Sequence, residues 1–99
     1  MSYGLQVTLE AKDGRQEDLA QFLRDSLTPV LGEPGTTTWY SYRITDSLFG
    51  IYDTFPDEAA RDAHLSGEVA TALQGAAGEF LAGPPTVRKV DIIAAKAAG

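Results

Sequence analysis

The only histidine of the chain, His64, lies in the stretch Leu48–Leu65, LFGIYDTFPDEAARDAHL, where an apolar strand runs through Pro56-Asp57-Glu58 into a helix. Imidazole is the one side chain whose ordinary pKa lies near neutrality, so His64 is the first candidate for a general base or for a donor to a polar ligand. The other reading is structural: an inward-facing ring bonded to a carbonyl where the helix breaks. The carbonyl end of a helix favours imidazolium and apolar burial favours the neutral ring, and spacing alone does not choose between them. The aromatics Trp39, Tyr40, Tyr42, Phe49, Tyr52, Phe55 and Phe80 are expected either to line a cleft between sheet and helices or to fill a small core. Trp39 and Tyr52 carry polar groups that need partners when buried. Arg43 and Asp53 fall on neighbouring strands, so they are expected to pair across them, or Arg43 to hold a ligand oxygen.

Other chemistries are set aside by composition. One histidine and no cysteine cannot supply a usual zinc site, a thiolate cluster or a disulfide, although a carboxylate-only magnesium site stays open. There is no G-x-S-x-G elbow, and Glu33-Pro34-Gly35-Thr36 is not a phosphate loop. The expectation is therefore no metal and no cofactor. Fourteen acidic against eight basic residues give a net charge of −6, a field that repels phosphate backbones and argues against nucleic acid. No apolar run is long enough to span a membrane, and Met1-Ser2-Tyr3-Gly4 lacks the basic and apolar regions of a signal peptide. A cytoplasmic, single-domain protein over residues 1–99 is expected.

The elements that must position these residues read as β-α-β-β-α-β. Tyr3, Leu5, Val7 and Leu9 alternate with more polar residues as a first strand. Asp13 and Gln16 have capping-box spacing ahead of a helix with Leu19, Phe22, Leu23 and Leu27 on one side. Pro29 ends or kinks that helix near Leu27 or Thr28. Thr36–Ile44 and Leu48–Phe55 form a hairpin about Thr45-Asp46-Ser47. Asp57 caps the next helix, Ser66-Gly67 interrupts it, and a fresh apolar stripe follows at Val69, Leu73, Ala76 and Phe80. Thr86–Ala94 is the last strand and Ala95–Gly99 a fraying tail. This order predicts an α+β, ferredoxin-like split βαβ: a four-stranded antiparallel sheet with the helices on one face. The second sheet face still carries bulky apolar residues whichever register holds. A homodimer with sheets packed face to face would cover them.

The segments EPGTTTWY at Glu33–Tyr40 and FGIYDTFPDEAARDAHL at Phe49–Leu65 resemble the antibiotic biosynthesis monooxygenase family, and the resemblance extends from about Leu5 to Ala94. It implies a dimeric α+β barrel and, for activity, a quinol monooxygenase that oxidises a small aromatic quinol or phenol with O₂ and no cofactor. The family's helix histidine falls on His64, which the resemblance makes the catalytic base. Trp39, Tyr40, Tyr42, Tyr52 and Phe55 would then hold the ring, and Arg43 would steady the anion. Phe55 stands where characterised members often have tryptophan, and the chain contains no asparagine. Those departures count against the anthrone-oxidising and haem-degrading mechanisms and leave the fold unaffected. The alternative function is a dimeric small-molecule-binding protein without turnover.

Overall fold

The computed structural model describes residues 3–96. Its elements are β1 (Tyr3–Glu10), α1 (Gln16–Asp25), α2 (Leu27–Leu31), β2 (Thr38–Arg43), β3 (Leu48–Phe55), α3 (Glu58–Leu65), α4 (Glu68–Phe80) and β4 (Thr86–Asp91). The strands form one antiparallel sheet in the order β2-β3-β1-β4. This is the expected ferredoxin-like βαββαβ arrangement, with each helical unit broken in two. No helix of the described residues is long and apolar enough to cross a membrane.

Both breaks have local causes. The ring of Pro29 clashes with a carbonyl four residues back, which is that of Asp25, the last residue of α1. The helix therefore ends a turn-fraction earlier than expected, and Ser26 Oγ seals it by donating to the Phe22 carbonyl at 2.8 Å. Pro29 itself sits in the first turn of α2, where no intrahelical N–H partner is lost. The second break follows Leu65: Ser66 Oγ turns back onto the Asp62 carbonyl at 3.1 Å, and Gly67 becomes the N-cap of α4. Asp57 caps α3 as expected, its Oδ1 accepting from the Ala60 N–H at 2.8 Å. The Asp13–Gln16 capping box does not form. Gly14 instead turns the chain through a φ of 80°, and Arg15 becomes the N-cap with no side-chain bond.

Alternation divides the sheet cleanly. The register puts Leu5, Val7 and Leu9 of β1 beside Asp53, Ile51 and Phe49 of β3. These face the helices, and Val7, Leu9, Ile51 and Phe49 pack with Leu19, Leu23, Leu73 and Leu81 in the core. Trp39 of β2 lies opposite Asp53 on the same face. The far face carries Tyr40 and Tyr42, 59% and 40% exposed, with Leu48, Tyr52 and Val90 half-buried. The outer strands are shorter than expected. β2 begins at Thr38 and β4 stops at Asp91, leaving Ile93 wholly exposed. Of the expected C-terminal tail, residues 97–99 lie outside the described residues, as do Met1 and Ser2.

Candidate functional site

The capped start of α3 sets the phase of its turns, and its end brings His64 against β3. Only 9% of the His64 side chain is exposed. Its Nδ1 lies 2.6 Å from Glu33 Oε1, and its Nε2 lies 2.8 Å from Asp53 Oδ2. The buried Phe55 ring tilts against it, with centroids 5.3 Å apart. Neither expected role matches this geometry. The ring bonds two carboxylates rather than a backbone carbonyl, and both nitrogens are engaged, which leaves no lone pair for a ligand proton. Burial is the largest influence on the ring and pulls its pKa down. The hydrogen bonds that the ring donates to Asp53 and Glu33, and the charges of both, outweigh burial and raise it above 6.5.

His64 is the wall between two spaces. On one side is an open cleft of about 510 Å³, lined by Glu33, Gly35, Ala60, Ala63 and Gly67 among others. On the other is an inner cavity of about 100 Å³ between the sheet and α4. Leu5, Val7, Ile51, Val69 and Leu73 make that cavity apolar, while Trp39, Asp53 and His64 supply its polar groups. Its mouth lies at Gln74, Pro85 and Val87, where Gln74 and Val87 are exposed. Among the described residues, Asp53 Oδ1 and Trp39 Nε1 are buried without a hydrogen-bond partner. They belong to register partners on adjacent strands. Buried polar atoms are rarely left so, because each unmade bond costs about 1–3 kcal/mol. An acceptor and a donor side by side in an apolar cavity suit a small ligand that offers both an O–H and an oxygen lone pair.

Of the residues singled out from sequence, Trp39, Asp53 and His64 line this cavity, and Phe55 packs against the ring of His64. The others lie elsewhere. Tyr40, Tyr42 and Tyr52 share the far face of the sheet, because side chains alternate along β2 and β3. The ring of Tyr42 lies across Gly50, where any Cβ would overlap it. Arg43 does not pair with Asp53; it sits opposite Phe49, stacks on that ring at 4.7 Å and bonds Glu17 at 2.8 Å. The aspartate is free of it because the register puts Trp39 opposite Asp53. The sequence offered Asp53 only as a partner for Arg43, and it did not place Glu33 in the site at all. Asp53 has a legible signal, since it shares parity with Phe49, Ile51 and Phe55 and so had to be a buried acid needing a partner. Glu33, in a turn 31 residues before His64, has none. Among the described residues no group of three or more histidine, cysteine or acidic side chains is placed to hold a metal ion.

No family model and no curated protein matches the chain. Among solved structures, a Nitrosomonas europaea protein of unknown function, NE2512, is 43% identical and superposes with a TM-score of 0.96, covering 99% of this chain and 95% of that one. The Mycobacterium tuberculosis protein Rv0793 shares the fold at 16% identity and a TM-score of 0.84, over 98% of this chain and 100% of that one. An antibiotic biosynthesis monooxygenase matches at 18% identity and a TM-score of 0.79, over 93% and 99%. By its identity to NE2512 over nearly the full length of both, the chain belongs to one family with that protein, and its fold is that of the antibiotic biosynthesis monooxygenases.

Proposed function

We propose that this chain is a cofactor-independent monooxygenase that oxidises a small single-ring quinol or phenol with O₂, acting as a cytoplasmic homodimer. The observation that carries the reading is the inner cavity with its unpartnered acceptor, Asp53 Oδ1, beside its unpartnered donor, Trp39 Nε1. A ring hydroxyl would donate to the aspartate, and a second ligand oxygen would accept from the indole. A cavity of about 100 Å³ is smaller than the engineered apolar cavity of ~150 Å³ that holds benzene in another protein, so a single ring would fill it and extend into its mouth at Gln74 and Val87. The multi-ring anthrones are too large for it.

In this scheme Asp53 Oδ1 removes the hydroxyl proton, with the His64 imidazolium fixing the carboxylate from behind. A positioned base of this kind is worth about 10²–10⁴-fold. The electron-rich anion then passes one electron to O₂, and the radical pair joins as a ring peroxide. Cleavage of the O–O bond leaves one oxygen atom on the ring and releases the other as water, so a quinol and O₂ become a hydroxyquinone and water. His64 is thus the positioning cation rather than the base. The far sheet face, with Tyr40 and Tyr42 exposed, is the surface that a second copy would cover.

A second reading, a binding protein without turnover, is favoured by the double anchoring of His64, which resembles a structural lock. A panel of single-ring quinols separates the two, with O₂ uptake and quenching of Trp39 fluorescence followed together. The enzyme reading expects uptake that disappears in Asp53→Asn while quenching persists. Quenching without uptake leaves the binding protein, and neither signal rejects both.

A further inference from the structure

We infer that Glu33 is the proton port of the inner cavity, joined to it by the His64 ring; the inference rests on the proposed reading of Asp53 as the acceptor of a ligand proton. Asp53 is 1% exposed, so a proton delivered there does not meet bulk water directly. Among the described residues, the one side-chain bond of its carboxylate goes to His64 Nε2. The opposite nitrogen of the same ring bonds Glu33 Oε1, whose side chain is 21% exposed and lines the open cleft. The chain from Asp53 through His64 to Glu33 therefore leads from the buried floor of the inner cavity to the open cleft through N···O contacts of 2.8 and 2.6 Å.

Thr36 holds the outer end in place. Its hydroxyl donates to the same Glu33 Oε1 at 2.8 Å, which fixes the carboxylate against Nδ1.

Proton movement along this chain balances without any further reactant. At rest two protons are shared, one between Asp53 Oδ2 and Nε2 and one between Nδ1 and Glu33 Oε1. The ligand hydroxyl gives its proton to Asp53 Oδ1. The first shared proton settles on Nε2, and the second passes to Glu33, which releases it into the cleft. The ligand has lost one proton, the cleft has gained one, and no bond between heavy atoms has changed.

The test uses 4-nitrophenol, whose ionisation on binding is visible by absorbance, in stopped flow with the intact protein. In Glu33→Gln the amide oxygen still accepts from Nδ1 and keeps the ring oriented, but it takes up no proton. The expected result is unchanged affinity with bound phenolate forming about 10²-fold more slowly. Glu33→Ala should show the same slowing and recover with added formate, which the open cleft admits. That rescue also separates a lost relay from a misfolded variant. Ionisation at the wild-type rate in both variants overturns the port while leaving the ligand reading intact. Failure of 4-nitrophenol to bind or to ionise in the wild type overturns the reading of Asp53, and the port with it.

Discussion

Replacing Asp53 by asparagine probes the arrangement most directly. The carboxylate is 1% exposed and holds His64 Nε2 at 2.8 Å. Asparagine keeps the volume and an oxygen that accepts the same N–H. The loss is then the difference between a charge-assisted and a neutral hydrogen bond, about 1–2 kcal/mol. Asp53→Ala removes the acceptor and leaves the Nε2–H buried without a partner while Glu33 still holds Nδ1, which costs about 2–3 kcal/mol. Urea unfolding followed by the fluorescence of Trp39, the one tryptophan of the chain, reads both. The pH dependence supplies a second axis. The folded-state pKa of His64 is raised above 6.5: burial, the largest influence, lowers it, but the hydrogen bonds and charges of Asp53 and Glu33 prevail. The folded protein thus holds this proton more tightly than the unfolded chain. The resulting stability is complete below about 6.5 and is lost as pH rises from there through the folded-state pKa. Asp53→Asn removes the leading favourable influence, so its histidine titrates lower and the window narrows. With a single histidine, an NMR titration assigns the value without ambiguity. Identical titrations in wild type and Asp53→Asn would refute the reasoning, as would a stability difference between them that does not shrink as pH rises.

Trp39→Phe keeps most of the apolar surface and deletes the indole N–H; single-ring phenols should bind about 3–10-fold more weakly by calorimetry, and unchanged affinity removes Trp39 from the site. Leu73→Ala, at a core position that also lines the cavity, should cost about 2–4 kcal/mol in urea unfolding. The same variant should admit two-ring ligands that the wild type rejects, and continued rejection would mean that the cavity collapses. Tyr40→Glu, on the uncovered sheet face, should shift sedimentation from dimer toward monomer at micromolar concentration; a wild type that is already a single subunit there ends the dimer reading.

Much of the architecture was written in short-range pattern. Alternation marked β1 and β3, Asp57 announced the start of α3, and Ser66-Gly67 announced its end. Pro29 foretold a break that came slightly early because its clash reaches four residues back. The capping box at Asp13 failed because Gly14 offered the chain a left-handed turn instead. Parity also marked Asp53 as an acid buried among Phe49, Ile51 and Phe55, although the expected partner, Arg43, is not the one it takes.

What the sequence settled by itself is what depends on neighbours along the chain: the βαββαβ order, the periodicity of each strand, the caps and breaks, and the single titratable ring near neutrality. Tertiary structure alone decided which sheet face meets the helices. That choice put Trp39 beside Asp53 and sent Tyr40, Tyr42 and Tyr52 to the opposite side. It also decided what His64 touches, because Glu33 comes from a turn with no local cue. The reason is physical: strand pairing and helix packing are chosen by summed burial over the whole fold, whereas a hydrogen bond of 2.6 Å across 31 residues exists only after those choices are made.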